Sequence, residues 1–242
     1  MHISPSLSVV IPVFNECANI RPLVKEITSA LDKISDYEII FVNDCSTDNT
    51  LAVITEMQDG IPQLRVITHL QRAGQSAGLR TGILAAKGQL IATLDGDGQN
   101  DPADIVKLLN EYKAQHRQGL RMITGNRVTR KDSLAKRKAS LIANSIRKFL
   151  LKDDNPDTGC SLKLFERDFF LKLPYFDHMH RFLPALAKRE NCSIIVVPVN
   201  HRHRVHGTSK YANLDRLLAG IPDLLGVMWL IRRCPRNLNS EE

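Results

Sequence analysis

The sequence predicts an α/β fold, a mostly parallel sheet with helices on both faces. Two observations predict it. Short apolar runs rich in β-branched residues alternate with segments of helical periodicity, joined by brief connections. Polar or charged residues then follow directly after several of those runs: Phe14-Asn15-Glu16, Asp44, Asp95-Gly96-Asp97 and Arg127. Ligands of such sheets bind outside the carboxyl ends of the strands. The second observation therefore predicts the place of a site as well as the fold.

The elements follow in order. Residues 7–13 are apolar and of strand length. Apolar side chains at Ile20, Leu23, Val24, Ile27 and Leu31 give helical spacing over 19–33. Residues 37–42 read as a second strand, after which Ser46, Thr47 or Asp48 can cap a helix running through Met57. A third strand is expected at 64–68. A helix follows over 74–86, with glycines at 74, 78 and 82. The fourth strand, 89–94, leads through an acidic turn to a helix over 102–116; a fifth, 120–124, ends at Gly125-Asn126-Arg127. The order then changes. A basic helix is expected over 130–152, a turn entering a strand over 157–165, and a helical stretch through Arg189 interrupted near Pro174. A strand over 193–199 runs into a basic loop, 200–210. An apolar helix, 214–229, is expected to break or bend near Pro222.

Length and composition bound the function. A chain of 242 residues suits one large α/β domain, alone or with a short appendage. Its 33 basic and 26 acidic residues leave a net charge of +7, which points to an anionic partner: nucleic acid, a phosphorylated metabolite or a membrane surface. Aromatic residues make up only 5%, with one Trp, so platforms for stacking single-stranded nucleic acid are poorly supplied. Cys17, Cys45, Cys160, Cys192 and Cys234 are scattered, odd in number and without metal-ligand spacing, which implies a reducing compartment and no disulfide framework. The first residues are too few and too polar for a signal peptide, and no long apolar run is present, so no membrane-spanning segment is expected.

The acidic turn, Leu94-Asp95-Gly96-Asp97-Gly98-Gln99-Asn100-Asp101-Pro102, carries the chemistry. Carboxylates at the end of a buried strand are costly unless they hold something positive. A hard divalent cation, Mg²⁺ or Mn²⁺, fits, since such ions take oxygen ligands from one or two carboxylates and from substrate phosphates. Asp101 suits a helix cap, which leaves Asp95 and Asp97 to be explained. An EF-hand match fails, because Asn100 stands where glycine is needed and Val106 where the bidentate Glu belongs. In the basic loop, Arg202, Arg204 and Lys210 surround Gly207-Thr208-Ser209, with His201, His203 and His206 among them. Arginines would repel a zinc ion and suit a phosphate, so anion contact is the expected role. The glycines at 74, 78 and 82 do not form a dinucleotide fingerprint, which excludes a Rossmann oxidoreductase.

Four motifs in order, Val9–Glu16, Val42–Asp48, Asp95–Gln99 and Arg204–Lys210, resemble the family 2 glycosyltransferases of GT-A (Rossmann-like) fold. The similarity is greater to the polyprenyl-phosphate branch, which includes dolichyl-phosphate mannose synthase and bacterial undecaprenyl-phosphate sugar transferases. The resemblance spans about residues 7–230. It implies an inverting, metal-dependent transfer of a sugar from a UDP- or GDP-sugar to polyprenyl phosphate at the cytoplasmic membrane face. Pro12, Phe14 and Glu16 would line the nucleoside pocket, Asp44 would read the base, and Asp95 with Gly96 would face the ribose or sugar. Asp97 and Gln99 would hold Mg²⁺ or Mn²⁺. Arg127, Arg137, Lys163, Arg204 and Lys210 would contact phosphate, and Asp95, Asp97 and Arg127 would carry catalysis. Residues 1–210 would form the catalytic domain, and 211–242 an interfacial or oligomerisation appendage with peripheral membrane contact. Gln71-Arg72 and Gln75 depart from the family's usual residues near the nucleotide. A soluble family 2 transferase acting on a saccharide or protein is the alternative. Nucleic-acid binding, suggested by charge alone, is not expected.

Overall fold

The computed structural model describes residues 6–34, 36–114, 119, 121–128, 147–148, 150–151, 153, 155–204 and 213–233. Its strands are Leu7–Val13 (β1), Tyr37–Asn43 (β2), Leu64–Thr68 (β3), Leu90–Thr93 (β4), Arg121–Arg127 (β5), Lys163–Glu166 (β6) and Ser193–Val199 (β7). They form one 7-stranded sheet in the order β3-β2-β1-β4-β6-β5-β7. Its helices are Cys17–Ala30 (α1), Thr50–Gln58 (α2), Gln75–Ala85 (α3), Ala103–Ala114 (α4), Arg167–Lys172 (α5), Leu183–Arg189 (α6) and Asn213–Arg232 (α7), with a 3-10 turn at Met179–Phe182.

The sheet is mostly parallel, as expected, with one exception. β6 runs antiparallel to both β4 and β5. Its first residue, Lys163, pairs with Thr93, the last residue of β4, and with Thr124 near the end of β5. An antiparallel strand thus brings its first residue to the edge where the parallel strands bring their last ones.

Strand side chains alternate between the faces. Val9, Ile11, Ile39 and Phe41 join a core completed by Ile20, Val24 and Ile27 of α1, Ile54 of α2 and Ile105 and Leu108 of α4. Val10, Ile40 and Val42 point the other way, into a core with Leu79 and Ile83 of α3, Phe169 of α5, Leu186 of α6 and Val227 of α7. The glycine series has a packing role. A Cβ on Gly78 would lie 2.8 Å from Pro12 Cβ, and one on Gly82 would lie 2.4 Å from Val10 Cγ1. Bare Cα atoms on one face let α3 lie directly on β1.

The break expected near Pro222 does not occur; α7 runs through it as one helix. Tertiary contacts override the local penalty. Leu224, Val227, Met228 and Ile231 pack on the second core, and Asp223 accepts a hydrogen bond from His178 Nδ1 at 3.0 Å. Of the basic helix expected over 130–152, residues 130–146, 149 and 152 lie outside the described residues.

Candidate active site

The acidic turn is built by its own side chains. Gly98 has φ +72, and Gln99 N–H donates to Asp97 Oδ1 at 3.1 Å, closing a local turn. A Cβ on Gly96 would lie 2.4 Å from Val13 Cγ1, so the turn passes tightly over the end of β1. Asp101 caps α4 by accepting from Ala103 N–H at 3.1 Å. The start of the basic loop is fastened to this turn. Asn100 and His201 form a β-bridge, Arg202 N–H donates to Gln99 O at 2.9 Å, and Asn200 N–H donates to Asp104 at 2.6 Å. Arg202, expected from the sequence to contact an anion, pairs here with Asp101 at 2.9 Å and Glu26 at 2.5 Å.

A cleft of about 1050 Å³ opens over the carboxyl ends of the parallel strands. Pro12, Phe14, Glu16, Asp44, Asp95, Gly96, Asp97, Gln99, Arg127, Lys163 and Arg204 all line it. Arg137 and Lys210 lie outside the described residues. The cleft also takes in residues that sequence reading passed over: Asp177, His178, His180 and Arg181. The signal was a run of titratable side chains after Pro174, inside a stretch read only as helical.

Opposite charges meet across the cleft. Arg204 donates to the Asp97 carboxylate, and its guanidinium stands 3.8 Å from Glu16. Asp95 accepts from Gln75 Nε2 at 2.7 Å. Burial, then the neighbouring Asp97 charge, pushes the Asp95 pKa up to about 6. Arg127 is gripped by Asp157 at 2.6 Å through Nε and 2.7 Å through Nη2. Burial lowers the Arg127 pKa, but the Asp157 carboxylate more than offsets this, and the net shift is upward. Lys163 is buried beneath the cleft; its ammonium donates to the carbonyl oxygen of Cys160 and to that of Thr158 at 3.5 Å. It braces the turn over 158–161, and burial draws its pKa down.

Asp44 is nearly enclosed and makes three hydrogen bonds. Oδ1 accepts from His69 Nδ1 and Ala73 N–H, each at 2.8 Å, and Oδ2 accepts from Gly74 N–H at 2.9 Å. These bonds overcome the effect of burial and hold its pKa below the usual carboxylate range. Arg72 lies over the Phe14 ring, 4.1 Å from its centroid.

The donor set fits a divalent cation. Asp97 already attracts a positive group, the Arg204 guanidinium, with Glu16 beside it. Among the described residues no group of three or more His, Cys, Asp or Glu side chains is arranged to hold an ion. A cation here would take few ligands from protein and the remainder from substrate phosphate and water, the habit of Mg²⁺. Gln99 lines the same cleft, with its amide nitrogen 3.3 Å from Arg202 O.

A mostly parallel sheet with a carboxylate-and-arginine cleft over its strand ends is the architecture of the GT-A fold. The chain belongs to glycosyl transferase family 2, whose model matches residues 8–173, and it is a glycosyltransferase. It is 37% identical over 235 residues to the dodecaprenyl-phosphate galacturonate synthase of Rhizobium johnstonii, covering 95% of this chain and 68% of that protein. It is 31% identical over 231 residues to the undecaprenyl-phosphate 4-deoxy-4-formamido-L-arabinose transferase of Edwardsiella ictaluri, covering 94% of this chain and 67% of that one. The crystal structure of glucosyl-3-phosphoglycerate synthase from Mycobacterium tuberculosis with Mn²⁺, UDP-glucose and phosphoglyceric acid matches with a TM-score of 0.66 at 18% identity. That match covers 96% of this chain and 81% of the other, and it shows the shared fold.

Proposed function

We propose that this chain transfers a sugar from a nucleotide-sugar donor to polyprenyl phosphate, with inversion at the anomeric carbon. The carrying observation is one cleft lined both by carboxylates, Asp95 and Asp97, and by the guanidinium groups of Arg127 and Arg204. Such a cleft suits two phosphate groups with an electrophilic carbon between them. The names of the relatives support the acceptor: both transfer to a long-chain prenyl phosphate.

The chemistry follows from those groups. An oxygen of the acceptor phosphate attacks the anomeric carbon; the bond to the donor diphosphate breaks, and its electrons leave with the diphosphate oxygen. The acceptor is already anionic, so no proton need be removed from it. Arg127 and Arg204 bind the acceptor phosphate and ease its approach to the donor's negative charge. Mg²⁺ or Mn²⁺ held by Asp97, with Gln99 beside it, would supply charge neutralisation for the departing diphosphate. Phe14, Pro12 and Glu16 bind the nucleoside, while Asp95, tied to Gln75, faces the donor sugar. Arg137 and Lys210 complete the phosphate contacts in this reading.

The acceptor's tail requires a bilayer. Ile221, Leu225 and Trp229 recur every four residues on α7 and are 54%, 59% and 60% exposed. Arg232 and Arg233 follow them. An apolar stripe ending in arginines supports contact with an anionic membrane surface. Among the described residues no helix is long and apolar enough to cross a membrane.

Two variants test the proposal. Asp97→Ala should abolish metal-dependent donor turnover; near-native turnover with unchanged metal dependence would overturn the site assignment. Arg204→Ala should lose transfer to a lipid phosphate while still binding the donor. If it transferred normally, the acceptor assignment would fall.

A further inference from the structure

We infer that Arg147 is a positioning residue for the transfer: it braces the loop that carries Asp157 and Thr158, and through that loop it sets the direction of the Arg127 guanidinium. The inference rests on the reading of Arg127 as a ligand of the acceptor phosphate and goes beyond it.

The loop around Asn155 and Asp157 is wound by its own side chains. Asn155 N–H donates to Asp153 Oδ1 at 3.1 Å, and two residues on Asp157 N–H donates to Asn155 Oδ1 at 3.1 Å. These are two Asx turns in series. Asn155 Nδ2 also donates to Thr124 Oγ1 at 3.2 Å, which pins the loop to β5, the strand that ends in Arg127. Asp157 then accepts from Nε, Nη2 and the backbone N–H of Arg127. Gly159 completes the seat, since a Cβ there would lie 3.0 Å from Arg127 Nη2. With the Nε and Nη2 edge committed to Asp157, the Nη1 edge is what a phosphate meets. Its direction is the one Asp157 gives it.

Arg147 ties this loop across its span. Its guanidinium donates to Asn155 O at 2.8 Å through Nη2 and to Thr158 Oγ1 through Nη1, and Nη2 stands 3.3 Å from Asp153 Oδ1. One planar fork thus joins residues on both sides of Asp157. Arg147 is 9% exposed and is not among the residues that line the cleft; Thr158, Gly159 and Arg127 are. The sequence counts it as one charge of the basic stretch 130–152, whereas the fold buries it and commits it to the loop. Thr158 is bonded directly to Asp157, so releasing Thr158 moves the carboxylate that orients Arg127. Groups that hold a reacting phosphate tolerate little displacement: a shift of about 1 Å caused away from the chemistry can cost about 10²-fold in rate.

The test compares the full chain with Arg147→Met, Arg127→Met and the double variant. Transfer is measured to undecaprenyl phosphate in detergent, from whichever of a panel of UDP- and GDP-sugars supports it, and binding of that donor is measured by titration calorimetry. Arg147→Met should lower kcat/KM for undecaprenyl phosphate by about 10²-fold and change donor affinity by less than about three-fold. Because Arg147 acts through Arg127, the double variant should transfer no more than about two-fold more slowly than Arg127→Met alone. Losses that multiply in the double variant, or an Arg147→Met protein within about three-fold of wild type, would overturn the inference and leave Arg127 in its role. Equal losses of donor binding and transfer in Arg147→Met would mark general damage to the fold and would also overturn it. Normal transfer by Arg127→Met, or transfer from no donor of the panel, would overturn the proposed function and the inference with it. If Arg147→Met does not fold, Arg147→Lys decides: it keeps a charge beside Asp153 but gives up the fork, and should lose about ten-fold in kcat/KM for the lipid phosphate with donor binding retained. Wild-type kinetics in a folded Arg147→Lys protein would overturn the inference.

Discussion

Asp157→Ala should weaken the protein and its catalysis together, because this carboxylate is what fixes Arg127 at the rim of the cleft. Asp157 receives Nε and Nη2 of Arg127 at 2.6 and 2.7 Å and its backbone N–H at 3.2 Å. The two side chains are 13% and 6% exposed. Taking away one partner of a buried pair strands the other charge, at a cost of about 3–5 kcal/mol. The slight exposure of Arg127 lets water relieve part of that, which favours the lower end. A chain of this size loses about 2–4 °C of Tm per kcal/mol, so the midpoint should fall by about 6–12 °C for a 3 kcal/mol loss. The assay is differential scanning calorimetry of Asp157→Ala, Arg127→Met and the double variant. The double variant should be far more stable than the sum of the single losses implies, with a coupling of about 2 kcal/mol. Strictly additive losses, or an Asp157→Ala midpoint within about 2 °C of wild type, would refute the reasoning.

Three further outcomes follow. Glu38 is enclosed by Ser8 Oγ at 2.7 Å, Lys87 N–H at 2.6 Å and Arg65 at 2.6 Å; against its burial these partners hold its pKa below the ordinary value. A carboxylate lowered on folding stabilises above its unfolded pKa and loses that contribution as pH falls, so Glu38→Gln should cost about 2 kcal/mol at neutral pH and progressively less below about pH 4.5 in urea melts. Gly82→Ala would press a Cβ to 2.4 Å from Val10 Cγ1 and 3.0 Å from Val42 Cγ2, and overpacking of that kind should cost about 1–3 kcal/mol by chemical denaturation. Leu225→Glu, in the middle of the exposed α7 stripe, should reduce co-sedimentation with vesicles containing anionic lipid and leave donor binding intact; if it instead changes the oligomeric state in sedimentation velocity, the stripe is a contact between copies.

The order of the elements was legible because each strand is a compact apolar run. The first strand was read to the residue, and the second ends one residue later than its apolar run, at Asn43. β5 outran its apolar stretch: Gly125, Asn126 and Arg127 continue the strand because β7 pairs with them, Arg127 with Val199. Periodicity reports burial and says nothing of the partner, so the reversed direction of β6 had no local signal. Pro222 misled for the same reason, since packing around Val227 decides what the chain does there. The gathering of acidic and basic motifs in one cleft was legible from their shared position after strands. What each carboxylate does with its oxygens was not. The His69 and Gly74 bonds to Asp44, the Asp157 grip on Arg127 and the Arg204 contact with Asp97 join residues 25 to 107 positions apart. Only the folded geometry assigns them.

The most direct test of the central claim is transfer of labelled sugar from a panel of UDP- and GDP-sugars, with Mn²⁺ or Mg²⁺, with and without undecaprenyl phosphate in detergent or vesicles. The proposed function predicts label in the lipid phase only when the lipid phosphate is present, and loss of that label in Asp97→Ala. Donor turnover at the same rate with or without the lipid, with label passing to a water-soluble saccharide or protein, would contradict it.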